Sequence, residues 1–272
     1  LGGANLTLIG TNTLNALLFD NEGGMSNPTL ATAVKLTLTA ANAVTATNQS
    51  PVSVPVISGT SLEFSDSNPV LTVHAGLAAT GLVISAPILQ SAGMLTLTKQ
   101  GTGVLALSGA STFNSSFSLN AGALMFGIDT VLLAGAITSG PVGRGALMVG
   151  AGTSLLSDGT VRTIANPVTV NGDFAFGGSG AGSGVILSGK VDLGAAMRTI
   201  AVTNYGVTAT LNGGLLTNLI DRSTALTKTG NGVLLLGVPS TQADLKGAGV
   251  TVSGGVIRWA GDNSLPPDTF LT

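Results

Sequence analysis

The sequence contains no cysteine and few charged residues. Its 272 residues include no Cys, one His and only 8% charged residues, against about 25% charged residues in an average soluble domain. The absence of Cys excludes a disulfide framework and cysteine-ligated zinc sites. The five Lys and five Arg are scattered singly along the chain. No basic patch is therefore available to bind nucleic acid or an anionic membrane surface.

Long apolar runs and helix signals are also missing. No stretch reaches the ~18 consecutive apolar residues of a membrane-spanning helix, although the mean hydropathy is +0.54. No window keeps the apolar spacing of an amphipathic helix. Hydrophobic residues make up 44% of the chain, which is enough to build a core, so the low charge does not indicate disorder. These patterns predict an ordered, all-β protein without a membrane span.

Short segments that alternate polar and apolar residues take the place of helices. Residues 35–39, 95–99, 168–170 and 250–252 have the period of two and the Thr and β-branched content of half-buried strands. Glycine, at 40 of 272 residues, separates such segments together with Asn, Ser and Asp, and these residues supply turns.

One motif occurs twice. Residues 97–107 (LTKQGTGVLAL) match residues 226–236 (LTKTGNGVLLL), and residues 117–124 correspond to residues 250–257 after a longer spacing in the second copy. A short repeat of this kind buries its apolar face only by stacking on its neighbours. We expect the glycine pairs to allow positive φ where the chain turns a corner, and the leucines to point inward. The positions that carry this structural motif are Leu97, Lys99, Gly101, Gly103, Leu105, Leu107, Gly122, Leu226, Lys228, Gly230, Gly232, Leu234, Leu236 and Gly255.

At these residues the chain resembles the autotransporter-associated β-strand repeat, a family found in large exported bacterial proteins. The family pattern is Leu-x-Lys-x-Gly-x-Gly-x-Leu-x-Leu, then a polar loop and a strand that ends Gly-x-Leu. Both copies match it, except that Ile257 replaces the last Leu and that the loops at 111–115 and 240–243 lack the family's Asn-Thr-x-x-Gly stretch. The resemblance implies a parallel β-helix passenger or stalk at the bacterial outer cell surface or outside the cell.

We therefore predict a right-handed parallel β-helix, or β-solenoid, with coils of roughly 20 to 25 residues. The handedness follows from the right-handed crossovers that connect parallel strands. The alternative is a β-sandwich array, for which Asn171-Gly172 and Asn212-Gly213 are candidate hairpin turns. We interpret residues 1–272 as one continuous solenoid segment with two related units, at about 1–126 and 127–272.

Candidate catalytic residues are few. The nearest carboxylate pairs, Asp20/Glu22 and Glu63/Asp66, are the kind of pair that a glycosidase needs on one groove. We interpret both pairs as turn or strand-end residues. His74 is expected at an outward strand position, and no Gly-x-Ser-x-Gly elbow occurs in the sequence. We therefore expect no enzyme activity, no catalytic residue, no cofactor and no metal site.

Two other features allow more than one interpretation. Residues 177–184 are Gly and Ser only, apart from Ala181, and we interpret them as a flexible loop between strands. Lys99 and Lys228 stand at equivalent positions of the motif, where they form either a ligand-binding ladder or outward, solubilising charges that discourage wrong strand pairing. We expect the outward arrangement.

The sequence favours a structural function. We expect a non-catalytic, extracellular or cell-surface β-helix stalk or adhesin passenger segment, cut from or part of a longer chain. One alternative is a subunit of a self-assembling surface filament, because the end coils of a solenoid expose unpaired strand edges. The other alternative is a carbohydrate-active β-helix enzyme. Expected partners are further copies or the rest of a longer chain, joined through the solenoid ends, and a host or surface ligand of unknown identity.

Overall fold

The structure is a computed structural model that describes residues 5–21, 28–90, 93–178, 182–216, 224–237, 249–260 and 270–271. All helix and strand elements in these ranges are β-strands. The described ranges accordingly hold no helix with the length and apolar character to cross a membrane. The chain divides into two compact units, Leu1–Gly145 and Ala146–Thr272. The two related units at about 1–126 and 127–272 are inferred from the repeated motif, and that inference stays a prediction.

Unit 1 is built from short strands. They are β1 (Leu6–Leu8), β2 (Asn12–Leu14), β3 (Leu17–Asn21), β4 (Thr29–Thr32), β5 (Leu36–Leu38), β6 (Asn42–Asn48), β7 (Val56–Gly59), β8 (Leu62–Phe64), β9 (Val70–Val73), β10 (Leu82–Ile84), β11 (Thr96–Gln100), β12 (Val104–Leu107), β13 (Ser116–Leu119), β14 (Ala123–Phe126), β15 (Val131–Leu133) and β16 (Ala136–Ser139).

Three parallel sheets and one antiparallel hairpin organise unit 1. Sheet 1a has the strand order β1-β4-β7-β10-β12-β14, sheet 1b has β2-β5-β8, and sheet 1c has β3-β6-β9-β11-β13. Consecutive strands therefore belong to different sheets, and the chain returns to the same sheet one coil later. The hairpin β15-β16 is antiparallel, and Ala134 and Gly135 at its tip both have positive φ, as a two-residue type I′ turn requires.

Unit 2 repeats this plan. Its strands are β17 (Leu147–Val149), β18 (Thr153–Ser157), β19 (Val161–Ile164), β20 (Val168–Val170), β21 (Phe174–Gly177), β22 (Gly184–Leu187), β23 (Val191–Asp192), β24 (Arg198–Val202), β25 (Thr208–Leu211), β26 (Leu215–Leu216), β27 (Thr224–Thr229), β28 (Val233–Leu236), β29 (Gly249–Val252), β30 (Val256–Trp259) and β31 (Phe270–Leu271). Sheet 2a has the order β18-β21-β24-β27-β29-β31, sheet 2b has β19-β22-β25-β28-β30, and sheet 2c has β17-β20-β23-β26.

Each coil places its inward side chains directly over those of the coil before. In sheet 1a, the partners in register form one column of buried residues, which are Leu30, Ile57, Ile84, Leu107 and Phe126. Since parallel strands lie about 4.8 Å apart, the side chains of such a column touch and exclude water. This continuous apolar contact is the main source of stability that the coils share.

The coils differ in length. In sheet 1a, a long stretch of chain separates Leu30 from its register partner Ile57, whereas a much shorter stretch separates Leu105 from its partner Leu124. The coil that joins Arg198 to Leu226 in sheet 2a is again a long one. The strand pairs of sheet 1a keep one register along each strand, whereas the pairs β6-β9 and β27-β29 each contain a register shift.

The predicted parallel β-solenoid is confirmed, and its right-handed winding stays a prediction. The β-sandwich alternative is wrong, because the strands of the six sheets pair in parallel. Asn171-Gly172 lies between β20 and β21, and Asn212-Gly213 lies between β25 and β26. These strand pairs belong to different sheets, so both dipeptides are coil corners and not hairpin turns.

Candidate functional site

Lys99 lies in the core of unit 1. It is the fourth residue of β11, and in register it stands between Leu71 of β9 and Leu119 of β13. Both leucines are buried, and Lys99 itself has 0% exposure. The prediction that Lys99 is an outward, solubilising charge is therefore wrong. The lysine occupies a position of an inward column that its neighbouring coils fill with leucine.

The ammonium group of Lys99 is enclosed by main-chain carbonyls. Its Nζ donates hydrogen bonds to the carbonyl oxygens of Gly101 (2.5 Å), Gly103 (2.6 Å) and Ala121 (2.9 Å). An ammonium group has three N–H donors, so each of them has an acceptor. Gly101 and Gly103 form the corner after β11, and Ala121 lies at the corner one coil later. We call this arrangement the Lys99 cage.

Unit 2 contains a second cage around Lys228. This residue is also fully buried, and in register it lies between Ile200 of β24 and Val252 of β29. Its Nζ donates to the carbonyl oxygens of Thr229 (2.7 Å), Gly230 (2.8 Å) and Gly254 (3.0 Å). The outward interpretation of Lys228 is wrong for the same reason as that of Lys99. In both cages the lysine ties its own corner to the corner of the following coil.

In each copy of the motif, two glycines have a positive φ, a backbone conformation that favours glycine. Gly101 and Gly230, directly at the corners, have φ of +76° and +75°. One coil later, Gly122 and Gly255 have φ of +69° and +68°. A Cβ on Gly122 would lie 2.7 Å from Lys99 Nζ and 2.5 Å from the Gly103 carbonyl oxygen. The cage therefore closes only over a residue that has no side chain.

Gly103 and Gly232 are required for a different reason. Neither residue has a positive φ, so the expectation of positive φ at these two positions is wrong. A Cβ on Gly103 would lie 2.3 Å from the carbonyl oxygen of His74. A Cβ on Gly232 would lie 2.5 Å from a side-chain carbon of Val202. Glycine stands at these positions because the preceding coil is too close for a side chain.

The leucines of the motif line the core on both sides of each cage. Their exposed fractions are at most 4% for Leu97, Leu105, Leu107, Leu226, Leu234 and Leu236.

The apolar surroundings change the pKa of each caged lysine. Burial lowers the pKa of Lys99 to about 8 and also lowers the pKa of Lys228, because a buried ammonium loses its hydration. Carbonyl dipoles partly replace that hydration.

The cages hold the coils together, and their amines face no open space. An amine with a pKa near 8 is a potential nucleophile. Lys99 Nζ, however, is surrounded by its three carbonyls and by buried leucines, so a dissolved substrate has no access to it. The arrangement adds side-chain hydrogen bonds to the backbone hydrogen bonds that join the corners of neighbouring coils, such as the bond from the Ala123 N–H to the Gly103 carbonyl (3.3 Å).

Of the two candidate carboxylate pairs, only Glu63/Asp66 lies wholly within the described residues, and its two members have separate partners. Asp20 is exposed on β3, and Glu22 lies outside the described residues. Glu63 forms an ion pair with Lys35 (3.0 Å), and Asp66 accepts a hydrogen bond from the backbone N–H of Asn68 (2.8 Å). Within the described ranges, no group of three or more His, Asp or Glu side chains is placed to hold a metal ion.

The remaining sequence candidates lie at coil corners. His74 is exposed and follows the last residue of β9. The Gly/Ser stretch connects β21, which ends at Gly177, to β22, which begins at Gly184. Residues 179–181 of this stretch and the second polar loop, 240–243, lie outside the described residues.

Sequence reasoning missed a buried asparagine pair in unit 1. Asn21 and Asn48 are partners in register on β3 and β6, and both are buried. The amide nitrogen of Asn21 donates to Asn48 Oδ1 (2.7 Å), and the amide nitrogen of Asn48 donates to the Ser53 carbonyl (2.8 Å). The available signal was the recurrence of Asn at a separation of one coil.

No protein-family model matches the chain, and neither the curated proteins nor the solved structures contain a match to it. The cages and the coil geometry are therefore the basis of the functional proposals below.

Replacing Lys99 by methionine tests the cage. Lys99→Met keeps most of the side-chain volume but removes the side-chain donor of three carbonyl oxygens. The Gly103 carbonyl keeps the backbone N–H of Ala123 (3.3 Å), whereas the carbonyls of Gly101 and Ala121 lose their donor, at about 1–3 kcal/mol for each unsatisfied buried group. Relief from burying the ammonium offsets part of this loss. We expect the free energy of unfolding to fall by about 2 kcal/mol in urea denaturation.

The matched control for that substitution is Lys190→Met, because Lys190 is exposed. A surface change of this kind is expected to alter stability by no more than about 0.5 kcal/mol. A Lys99→Met chain that is as stable as the control variant would show that the cage contributes nothing to folding.

The lowered pKa of Lys99 predicts a dependence of stability on pH. Between pH 8 and 10.5, the unfolded chain carries more protons at this lysine than the folded chain does. Stability therefore rises with pH in this window, and it gains nothing further above the pKa of the unfolded lysine. We expect the difference in unfolding free energy between wild type and Lys99→Met to increase from about pH 7 to about pH 10. Equal pH profiles for the two chains would contradict the assignment.

Proposed function

We propose that this chain is a structural, non-catalytic segment of a β-helical stalk or adhesin passenger. The observation that carries the proposal is the role of the repeated motif. In both copies, the lysine, the glycines and the leucines are engaged in contacts between one coil and the next. A sequence signature whose members all serve coil stacking supports a function that depends on the solenoid itself.

We place this segment at the outer surface of a bacterium or outside the cell. Two features of the sequence support this location, the resemblance to the autotransporter-associated β-strand repeat and the absence of Cys among 272 residues. Labelling of intact source cells with an antibody against the purified chain tests the location. Labelling that requires permeabilised cells would contradict it.

Negative-stain electron microscopy of the purified chain tests the proposal that the segment is part of a stalk. A solenoid grows by about 4.8 Å for each coil, so we expect discrete, elongated particles. Residues 106–124 make up one coil, because Ala106 is in register with Met125. Insertion of a second copy of these residues is expected to lengthen the particles without loss of folding. Compact globular particles, or a longer chain that fails to fold, would count against a stalk.

Self-association of the segment is a second candidate, and the hairpin β15-β16 favours it. The exposed fractions of Val131, Leu132 and Leu133 are 51%, 51% and 71%, and the hairpin pairs only with itself among the described strands. Exposed apolar strands with free edges pair readily with another copy. This would provide the contact for a surface filament.

Charge placed on the hairpin distinguishes the two candidates. If copies associate through it, wild-type chain is expected to form dimers or longer assemblies in sedimentation velocity experiments, and Leu133→Asp is expected to remain monomeric. Val161→Asp is the matched control, since Val161 is equally apolar and 51% exposed in unit 2. A monomeric wild type across the concentration range would exclude self-association and leave the stalk proposal unaffected.

A further inference from the structure

Unit 1 carries a depression that is largely open to solvent. Its volume is about 550 Å³. Its walls are formed by described residues that precede β11 and β13, together with the first residue of β13. They include Gln90, Met94, Leu95, Asn114, Ser115 and Ser116, and none of the described lining residues carries a charge.

The floor of this depression is held in place by Gln90. Its Oε1 accepts hydrogen bonds from the backbone N–H of Asn114 (2.7 Å) and from the hydroxyl of Ser115 (3.2 Å). Its amide nitrogen donates to the carbonyl oxygen of Met94 (3.3 Å). One side chain thus ties two successive coils together, so the lining is ordered before any ligand arrives, and this lowers the entropy lost on binding.

Three polar groups remain available in and beside this depression. The side-chain amide of Asn114 is exposed and the hydroxyl of Ser116 is half-buried, and both residues belong to the lining. The hydroxyl of Thr96 lies outside the lining and is half-buried on the neighbouring strand, in direct register with Ser116. None of the three side chains has a protein partner within the part of the chain that the structure describes. Amides and hydroxyls both donate and accept hydrogen bonds, as the hydroxyl groups of a sugar do.

An apolar side chain completes the lining. Leu95 is 66% exposed and directly precedes the strand that carries Thr96. The C–H face of a sugar ring is apolar, whereas its edge carries hydroxyl groups. Uncharged donors and acceptors beside an exposed leucine therefore match both parts of a neutral sugar.

The hydroxyl groups continue beyond the depression. Thr98 and Ser118 follow Thr96 and Ser116 on the outer face of sheet 1c, and they are also partners in register. The Ser118 hydroxyl donates to Asn120 Oδ1 (2.7 Å) and has acceptor capacity left. Side chains two residues apart on one strand are about 6.6 Å apart, and neighbouring strands are about 4.8 Å apart. This spacing extends the polar surface along the direction in which a chain of sugar units would run.

We propose that this depression and the adjoining hydroxyls bind a neutral oligosaccharide. The binding is non-covalent and does not depend on the structural role proposed above. An anionic saccharide is disfavoured because the lining supplies no cation. Arg144 lies beside the corner, but its Nε donates to the Thr112 carbonyl (2.9 Å), and it is not part of the lining.

Binding of the fluorescently labelled chain to an array of immobilised neutral and anionic oligosaccharides tests this proposal. We expect binding to neutral linear oligosaccharides. Titration with the bound sugar is then compared between wild type, Asn114→Ala and Ser116→Ala. Each substitution removes one neutral hydrogen bond and is expected to raise Kd by roughly two- to tenfold.

Ser154→Ala is the matched control, because Ser154 is a half-buried outward serine of β18 in unit 2. It is expected to bind the sugar as wild type does, and all variants are checked for wild-type thermal unfolding. Three results would each overturn the proposal. They are no binding to any neutral oligosaccharide, binding to anionic sugars alone, and neutral binding that neither Asn114→Ala nor Ser116→Ala weakens.

Discussion

Parallel stacking of coils is the constraint on which the rest of this structure depends. Each residue of a strand lies over one residue of the coil before and under one residue of the coil after, at a spacing of about 4.8 Å. The column of Leu30, Ile57, Ile84, Leu107 and Phe126 is apolar at every level, and a polar residue in such a column needs hydrogen-bond partners of its own. The same stacking satisfies the backbone groups of the strands through the parallel ladders.

The regular ladders end at the corners between strands, where carbonyl groups take backbone donors outside the ladders and side-chain donors. In unit 1, some of these donors are polar side chains from inward positions. Lys99 extends from its column to three corner carbonyls, and the Asn21–Asn48 pair reaches the Ser53 carbonyl. The ammonium loses hydration on burial, but it serves two corners at once. Glycine at Gly122 then lets the next coil approach the cage.

Much of the fold was predictable from local patterns. Alternation at residues 95–99 and 168–170 corresponds to β11 and β20, because side chains of a strand alternate between two faces. The inward direction of Lys99 was also predictable by that rule, since Lys99 and Leu97 are two residues apart and share a face. General experience that lysine is exposed led to the wrong expectation. One of the acceptors that overturn it, the Ala121 carbonyl, comes from another coil, and no local pattern indicates it.

The sequence by itself determined the all-β character, the short strands, the glycine corners and the repeated motif, because these depend on residues close together in the chain. Only the tertiary structure decided which corner lies over which. The partners across a corner are separated by a whole coil of variable length, so Ala121 meets Lys99, and Asn114 meets Gln90, only once the register between coils is set. That register results from packing whole inward columns against one another, and a short sequence window contains no information on it.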